Sequence, residues 1–194
     1  MPEFHAKISP SSFARVRQCP ASLKFADKFP NTTNKAAEEG TACHEATERM
    51  LNGEFIEAGF VAENGVKLSA EHIAHVEEVV DWVVDQEFDR VFLEVKLPVG
   101  EAIGIEDPDL MWGTSDIVGI KDGSFSVVDA KFGRVAVYAA KEDADGNLVH
   151  NSQAMCYLAG AMHSLADRVP GDIEGMRNVI LQPKTGNRLD DSAD

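Results

Sequence analysis

The sequence has few cysteines, no long apolar run and few basic residues. Cys19, Cys43 and Cys156 are odd in number and widely spaced, so they predict neither a disulfide framework nor a cysteine-rich zinc site. No stretch of eighteen apolar residues is present, and the first residues contain no apolar segment typical of a secretion signal. We therefore expect a reduced, cytoplasmic protein of a bacterium or a phage-infected cell, without a membrane partner.

Positive charge is scarce, which bears directly on the class of partner. The chain has 18 Lys and Arg residues against 33 Asp and Glu residues, with a net charge of −15 and a pI near 4.7. Such a balance argues against a broad basic surface for nucleic acid, because phosphate contacts need Lys and Arg. Residues 1–35 are the exception, with six cations against Glu3 and Asp27: Lys7, Arg15, Arg17, Lys24, Lys28 and Lys35.

The length of 194 residues fits one domain. We expect a basic, partly helical arm over residues 1–35, a core over 36–183 and a flexible acidic tail over 184–194, which has little to bury. The arm offers Arg15 and Arg17 as contacts for a negatively charged substrate.

Periodicity predicts an α/β fold with a mixed central sheet of about four strands flanked by helices. A short helix capped by Ser11 or Ser12 begins the arm, and Gly40 in the next helix indicates a late start or close packing. The Asp122-Gly123 pair predicts a tight hairpin turn. The predicted helices are 13–19, 21–29, 35–51, 69–88 and 151–167, and the predicted strands are 90–99, 114–120, 124–132 and 178–183.

The hairpin carries the most specific chemistry. Side chains two apart on a strand share a face, so Asp129 and Lys131 point the same way. A turn at Asp122-Gly123 brings Asp116 opposite Asp129, which gathers two carboxylates and one ammonium group. Such a cluster suits phosphodiester hydrolysis with Mg²⁺ or Mn²⁺. A structural salt bridge across the strands explains the same residues equally well.

An acid-x-Lys triplet is weak support by itself, since composition alone predicts roughly 1.7 of them. Glu94-Val95-Lys96 is a second example. The residue thirteen positions before Glu94 is Asp81, inside a predicted helix, so we expect no acid opposite Glu94. On this argument the hairpin triplet is the catalytic candidate.

Two helices add further candidates. His44 and Glu48 are one turn apart, so a helix could present either to a metal ion, although an isolated helical histidine is more often packed or solvated. Gln153 and Tyr157 share a helical face and could hydrogen-bond phosphate or base edges, or simply pack. Gly113, three residues before Asp116, indicates either crowding near the site or a turn.

Together, G-T-x-x-H-E at 40–45, G-x-x-D at 113–116, D-A-K at 129–131 and Q-x-x-x-Y at 153–157 occur in one order. The set resembles the RecB-like branch of the PD-(D/E)XK nucleases, and especially its phage and prophage members, over about residues 11–183. Those members also share an S-x-x-x-x-x-x-x-C-P segment like Ser11 to Pro20 and a last strand like VILQP. The resemblance implies a metal ion held by His44, Asp116, Asp129 and the carbonyl of Ala130, with Lys131 catalytic and Gln153 and Tyr157 supporting the site or the DNA.

The expected function is therefore a Mg²⁺- or Mn²⁺-dependent DNA exonuclease of phage or bacterial recombination or repair. A homo-oligomer and a phage single-strand annealing or recombination partner are compatible with it. Cys19 lacks the later cysteines with which some relatives bind an iron–sulfur cluster, so we expect no cluster. The alternatives are an acidic binding protein or DNA mimic on the same fold, for which the charge of −15 is suited, and a structural phage component.

Overall fold

The structure is a computed structural model that describes residues 6–26, 28, 34–169 and 171–185, and the backbone alone of 187–193. Its helices are α1 Pro10–Gln18, α2 Ser22–Ala26, α3 Lys35–Leu51, α4 Ala70–Asp85, α5 Val99–Ala102 and α6 Ser152–Leu165. Its strands are β1 Arg90–Leu97, β2 Gly113–Lys121, β3 Ser124–Ala130, β4 Ala140–Glu142, β5 Leu148–His150, β6 Gly175–Gln182 and β7 Asn187–Ala193.

The predicted mixed sheet is confirmed. Strands β1, β2 and β3 are antiparallel neighbours, and β6 joins β3 in parallel after the chain has crossed over through α6. Strand β7 then pairs antiparallel with β6, which gives the order β1-β2-β3-β6-β7. The parallel pair requires a long connection, and α6 lies within it.

The hairpin register is the one that the sequence predicts. Lys121 pairs with Ser124 and Ile117 pairs with Val128, around a turn at Asp122 and Gly123. Both turn residues have positive φ, 47° and 76°, as a tight hairpin turn of the primed type requires. The same register places Asp116 opposite Asp129.

Helices cover both faces of the sheet and divide the core in two. On one face, α3 and α4 pack against alternate strand residues such as Ile117, Val128 and Val179. On the other face, α6 packs against residues of the opposite parity, such as Val118 and Val127. Helices α1 and α5 pack on α6, so the basic arm lies on the α6 side.

Several local predictions were wrong. Ser9 caps α1, not Ser11 or Ser12, because Pro10 is suited to the first helical position. Gly40 lies well inside α3 with open space where a Cβ would be, so neither a late helix start nor close packing explains it.

Other elements were not predicted. Residues 140–150, which lie outside every predicted helix and strand, form the small β4–β5 hairpin, and α5 begins at Val99, the last residue of the predicted strand 90–99. The tail was assigned no strand, yet 187–193 pairs with β6. The predicted helix 21–29 is observed from Ser22 to Ala26, Lys28 lies in a turn, and residues 27 and 29 lie outside the described residues. Among the described helices, none is both long and apolar enough to span a bilayer.

Candidate functional site

Three acidic residues form one row across the antiparallel strands. The pairs Leu93↔Ile117 and Val95↔Ser115 flank Glu94 and Asp116, so these two face each other across β1 and β2. The β2–β3 register adds Asp129 to the row. The expectation that Glu94 lacks a facing acid was therefore wrong. That expectation took into account only residues that precede Glu94 in the chain. Strand β2, which follows it, pairs with β1 on one side and with β3 on the other.

Asp129 and Lys131 are bound to each other, as their shared strand face predicts. The Lys131 ammonium lies 2.9 Å from Oδ1 and 2.8 Å from Oδ2 of Asp129. Burial raises the pKa of Asp129 to about 6, and the nearby Asp116 carboxylate adds to this, whereas Lys131 lowers it. Asp129 is thus a buried acid whose charge depends on its cationic neighbour.

Helix α6 supports this pair through the predicted Gln153 and Tyr157. The Gln153 amide donates to Asp129 Oδ1 at 3.4 Å, and Gln153 is also hydrogen-bonded to the Tyr157 hydroxyl. Burial raises the pKa of Tyr157 to about 12, so its hydroxyl stays protonated. Because Tyr157 is buried, it contacts the site and not the surrounding solvent.

Asp116 links the sheet to helix α3. Its Oδ2 accepts the backbone N–H of Ala130 at 2.9 Å and lies 3.5 Å from Nδ1 of His44. The last ladder pair of β2 and β3 is Ile117↔Val128, so beyond it the carboxylate replaces a main-chain partner. The His44 ring also packs edge-on against Phe132, with ring centroids 5.3 Å apart.

Glu94 completes a group of candidate metal ligands that the sequence did not reveal. One ligand atom each from His44, Glu94 and Asp116 lies within 4.8 Å of the others. Although Glu94 is exposed as a residue, partial burial of its carboxyl raises its pKa to about 7, and Asp116 and Glu48 contribute. Two carboxylates and an imidazole in such proximity favour a cation between them.

The backbone at Glu94 is strained. Its φ is 45°, the left-handed region that residues other than glycine rarely adopt, at a cost on the order of 1–3 kcal/mol. Its triplet partner Lys96 lies 3.9 Å over the Trp112 ring instead of pairing with the acid. Strand alternation did not predict where the Glu94 side chain lies, because no feature of the sequence indicates the positive φ at this residue.

A small cavity of about 10 Å³ lies at the ligand group. That is close to the space for one water molecule or ion. His44, Glu94 and Asp116 line it together with Glu48 and Ala130.

The remaining predicted residues are two arginines of the arm and Gly113 of β2. Arg15 and Arg17 are exposed on α1, and no described contact joins either to the acids. Gly113 reflects crowding and not a turn, because it lies within β2 and a Cβ there would be 2.7 Å from Pro10 and 2.9 Å from Tyr157. Pro10 thereby holds the arm close to the site.

The site as a whole combines an acid–imidazole ligand group with an adjoining Asp–Lys pair, on a mixed sheet between helical layers. The chain belongs to the DUF2800 family, described as a protein of unknown function, whose model matches residues 5–192. The match covers every residue of the site and all of the sheet except Ala193.

Proposed function

We propose that the protein is a divalent-metal-dependent DNA nuclease with a PD-(D/E)XK-type core. The observation that carries the proposal is the ligand group of His44, Glu94 and Asp116, within 4.8 Å, beside the paired Asp129 and Lys131. A salt bridge accounts for Asp129 and Lys131 alone. It does not account for two further acids and an imidazole gathered around an ion-sized cavity.

The donor set suits Mg²⁺ or Mn²⁺. Carboxylate oxygens are the ligands that both ions prefer, and one neutral imidazole is well tolerated by Mn²⁺. His44, Glu94 and Asp116 would hold the ion, with the carbonyl of Ala130 and the carboxylate of Asp129 next to them. When bound, the ion polarises the phosphate and lowers the pKa of the attacking water.

The chain's own residues supply orientation and charge. Lys131 can stabilise negative charge that develops on the phosphate, since its ammonium is already held at the site by Asp129. Gln153 donates to the same Oδ1 atom of Asp129 as Lys131 does, and Tyr157 in turn holds Gln153. Desolvation of Asp129 strengthens these contacts.

An exonuclease of recombination or repair is the specific activity that we propose, on the family resemblance. A homo-oligomer or a recombination partner would help an acidic protein stay on DNA. The second candidate is an acidic binding protein on the same fold, which the net charge of −15 favours.

The test is digestion of linear and circular DNA, single- and double-stranded, with Mg²⁺ or Mn²⁺. Wild type is compared with Asp129→Ala, and with Asp81→Ala as a control on the far side of helix α4. We expect metal-dependent loss of linear DNA in wild type and the control, and none in Asp129→Ala. No cleavage by wild type under any condition would support the acidic binding protein instead.

A further inference from the structure

A basic groove lies between the arm helices and the body of the protein. It has a volume of about 840 Å³, and its polar lining residues are Lys7, Ser9, Ser11, Ser12, Arg15 and Lys24. We call it the arm groove. None of the described residues that line it is acidic. Residues 6–26 contain four cations and no acid, in a chain whose net charge is −15.

The groove's cations are accessible. Arg15 and Lys24 are exposed, and the Lys7 side chain is 70% exposed. Among the residues that the structure describes, Lys7 pairs with Asp107 at 3.8 Å, a surface pair that stabilises little. All three ammonium or guanidinium groups therefore stay available to an anion.

The amino terminus of α1 adds to the positive potential. Ser9 is its N-cap and Ser11 and Ser12 lie in its first turn, where the helix dipole favours an anion. The Ser9 hydroxyl accepts the N–H of Ser12 and lies 3.0 Å from the Ser11 hydroxyl. Hydroxyls and cations together are the usual partners of phosphate oxygens.

The groove is also close to the candidate active site. Pro10 follows the groove residue Ser9 and lies against Gly113, where an added Cβ would be 2.7 Å from it. Gly113 precedes Asp116 by three residues on β2, on the order of 10 Å along a strand. An extended chain of phosphates could therefore occupy both places at once.

We propose that the arm groove binds the backbone phosphates of a DNA strand that extends from the candidate active site. The inference rests on the proposed function for the identity of the polymer as DNA. Lys7, Arg15 and Lys24 each contact a phosphate, and the interaction carries no base specificity. The groove thus lets an acidic protein hold its substrate through one local basic surface.

The test is binding of a fluorescent single-stranded oligonucleotide, measured by anisotropy from 50 to 300 mM salt with EDTA present to prevent hydrolysis. The groove variant is Lys7→Gln/Arg15→Gln/Lys24→Gln. The matched control is Lys67→Gln/Arg90→Gln/Lys141→Gln, which removes the same charge from exposed positions outside the groove. We expect the control to bind like wild type and the groove variant to bind at least tenfold more weakly at low salt.

The salt dependence gives a second readout. Each lost phosphate contact should lower the slope of log affinity against log salt by about 0.7, so the groove variant should lose about 2 in slope. Equal slopes for the groove and control variants, or wild type that binds no DNA, would overturn the proposal. So would RNA of the same sequence displacing the DNA at a much lower concentration than unlabelled DNA does.

Hydrolysis of a small substrate distinguishes a failure of the groove proposal from a failure of the proposed nuclease activity. A nitrophenyl ester of thymidine monophosphate is too short to reach the groove, so with Mn²⁺ both variants should hydrolyse it at the wild-type rate. This result also shows that the groove variant is folded. If the groove variant loses DNA binding but wild type does not hydrolyse the ester, the result supports the groove and counts against the nuclease. If wild type hydrolyses the ester but the groove variant binds DNA as wild type does, only the groove proposal is overturned.

Discussion

Glu94 on β1 lies directly opposite Asp116 on β2, in a left-handed backbone conformation. The two carboxylates and the His44 imidazole offer ligand atoms within 4.8 Å of one another. A non-glycine residue with positive φ is costly to keep and is often found where function requires it. We therefore propose for Glu94 a role in metal binding that strand periodicity does not reveal.

Glu94→Gln should weaken Mn²⁺ binding by about tenfold or more, because it replaces a charged ligand by a neutral one. Isothermal titration or the electron paramagnetic resonance of free Mn²⁺ measures the dissociation constant. Glu77→Gln, on the exposed surface of α4, is the control and should bind as wild type does. Unchanged Mn²⁺ affinity in Glu94→Gln would remove Glu94 from the site.

The pH dependence of stability in the metal-free protein follows from the same acids. Glu94 has a pKa raised to about 7 and Asp129 one raised to about 6, so the folded state binds protons more tightly than the unfolded chain. Their contribution favours folding at low pH and is lost as pH rises through 6 to 7. In EDTA, the melting temperature of Glu94→Gln should be higher than that of wild type at pH 8 and close to it at pH 5. A difference in melting temperature that stays the same from pH 5 to pH 8 would contradict a raised pKa of Glu94.

Gly113→Ala should destabilise the protein by about 1–3 kcal/mol, because overpacking forces Pro10 or Tyr157 to move. Gly40→Ala is the matched control. It faces open space inside α3 and should stabilise by about 0.5–1 kcal/mol. Urea unfolding followed by circular dichroism measures both. A neutral Gly113→Ala would mean that α1 is free to shift away from β2.

Tyr157→Phe tests the support of Asp129 from helix α6. Losing one hydrogen bond to Gln153 should reduce the turnover number about threefold to tenfold, with Mn²⁺ affinity unchanged. Gln153→Ala should reduce it at least as much, and the double variant no further, because Tyr157 acts through Gln153. Additive losses would show that Tyr157 acts independently.

Much of the fold was predictable because its patterns are local. The 35–51 helix is observed at its predicted bounds, and the Asp122-Gly123 turn alone fixed the register that brings Asp116 opposite Asp129. The Asp129–Lys131 pair followed from side-chain alternation on one strand. These inferences need only the spacing of neighbouring residues.

The part of the site that was missed depends on contacts between distant segments. Glu94 joins Asp116 through the β1–β2 pairing, which no turn residue in the sequence specifies, since α5 and a long loop lie between the strands. The β4–β5 hairpin was missed because an acidic loop separates two very short strands. Strand β7 was missed because its sequence carries no apolar alternation.

The most direct test compares metal binding and DNA hydrolysis in two variants, Asp116→Asn and Lys131→Ala. Asp116 belongs to the ligand group and Lys131 does not, so Asp116→Asn should lose both Mn²⁺ binding and cleavage of linear DNA. Lys131→Ala should retain Mn²⁺ binding while cleavage falls by about 100-fold or more, as expected for loss of a group that stabilises the transition state. Wild type that binds no Mn²⁺, or Lys131→Ala that cleaves at the wild-type rate, would contradict a metal-dependent nuclease at this site.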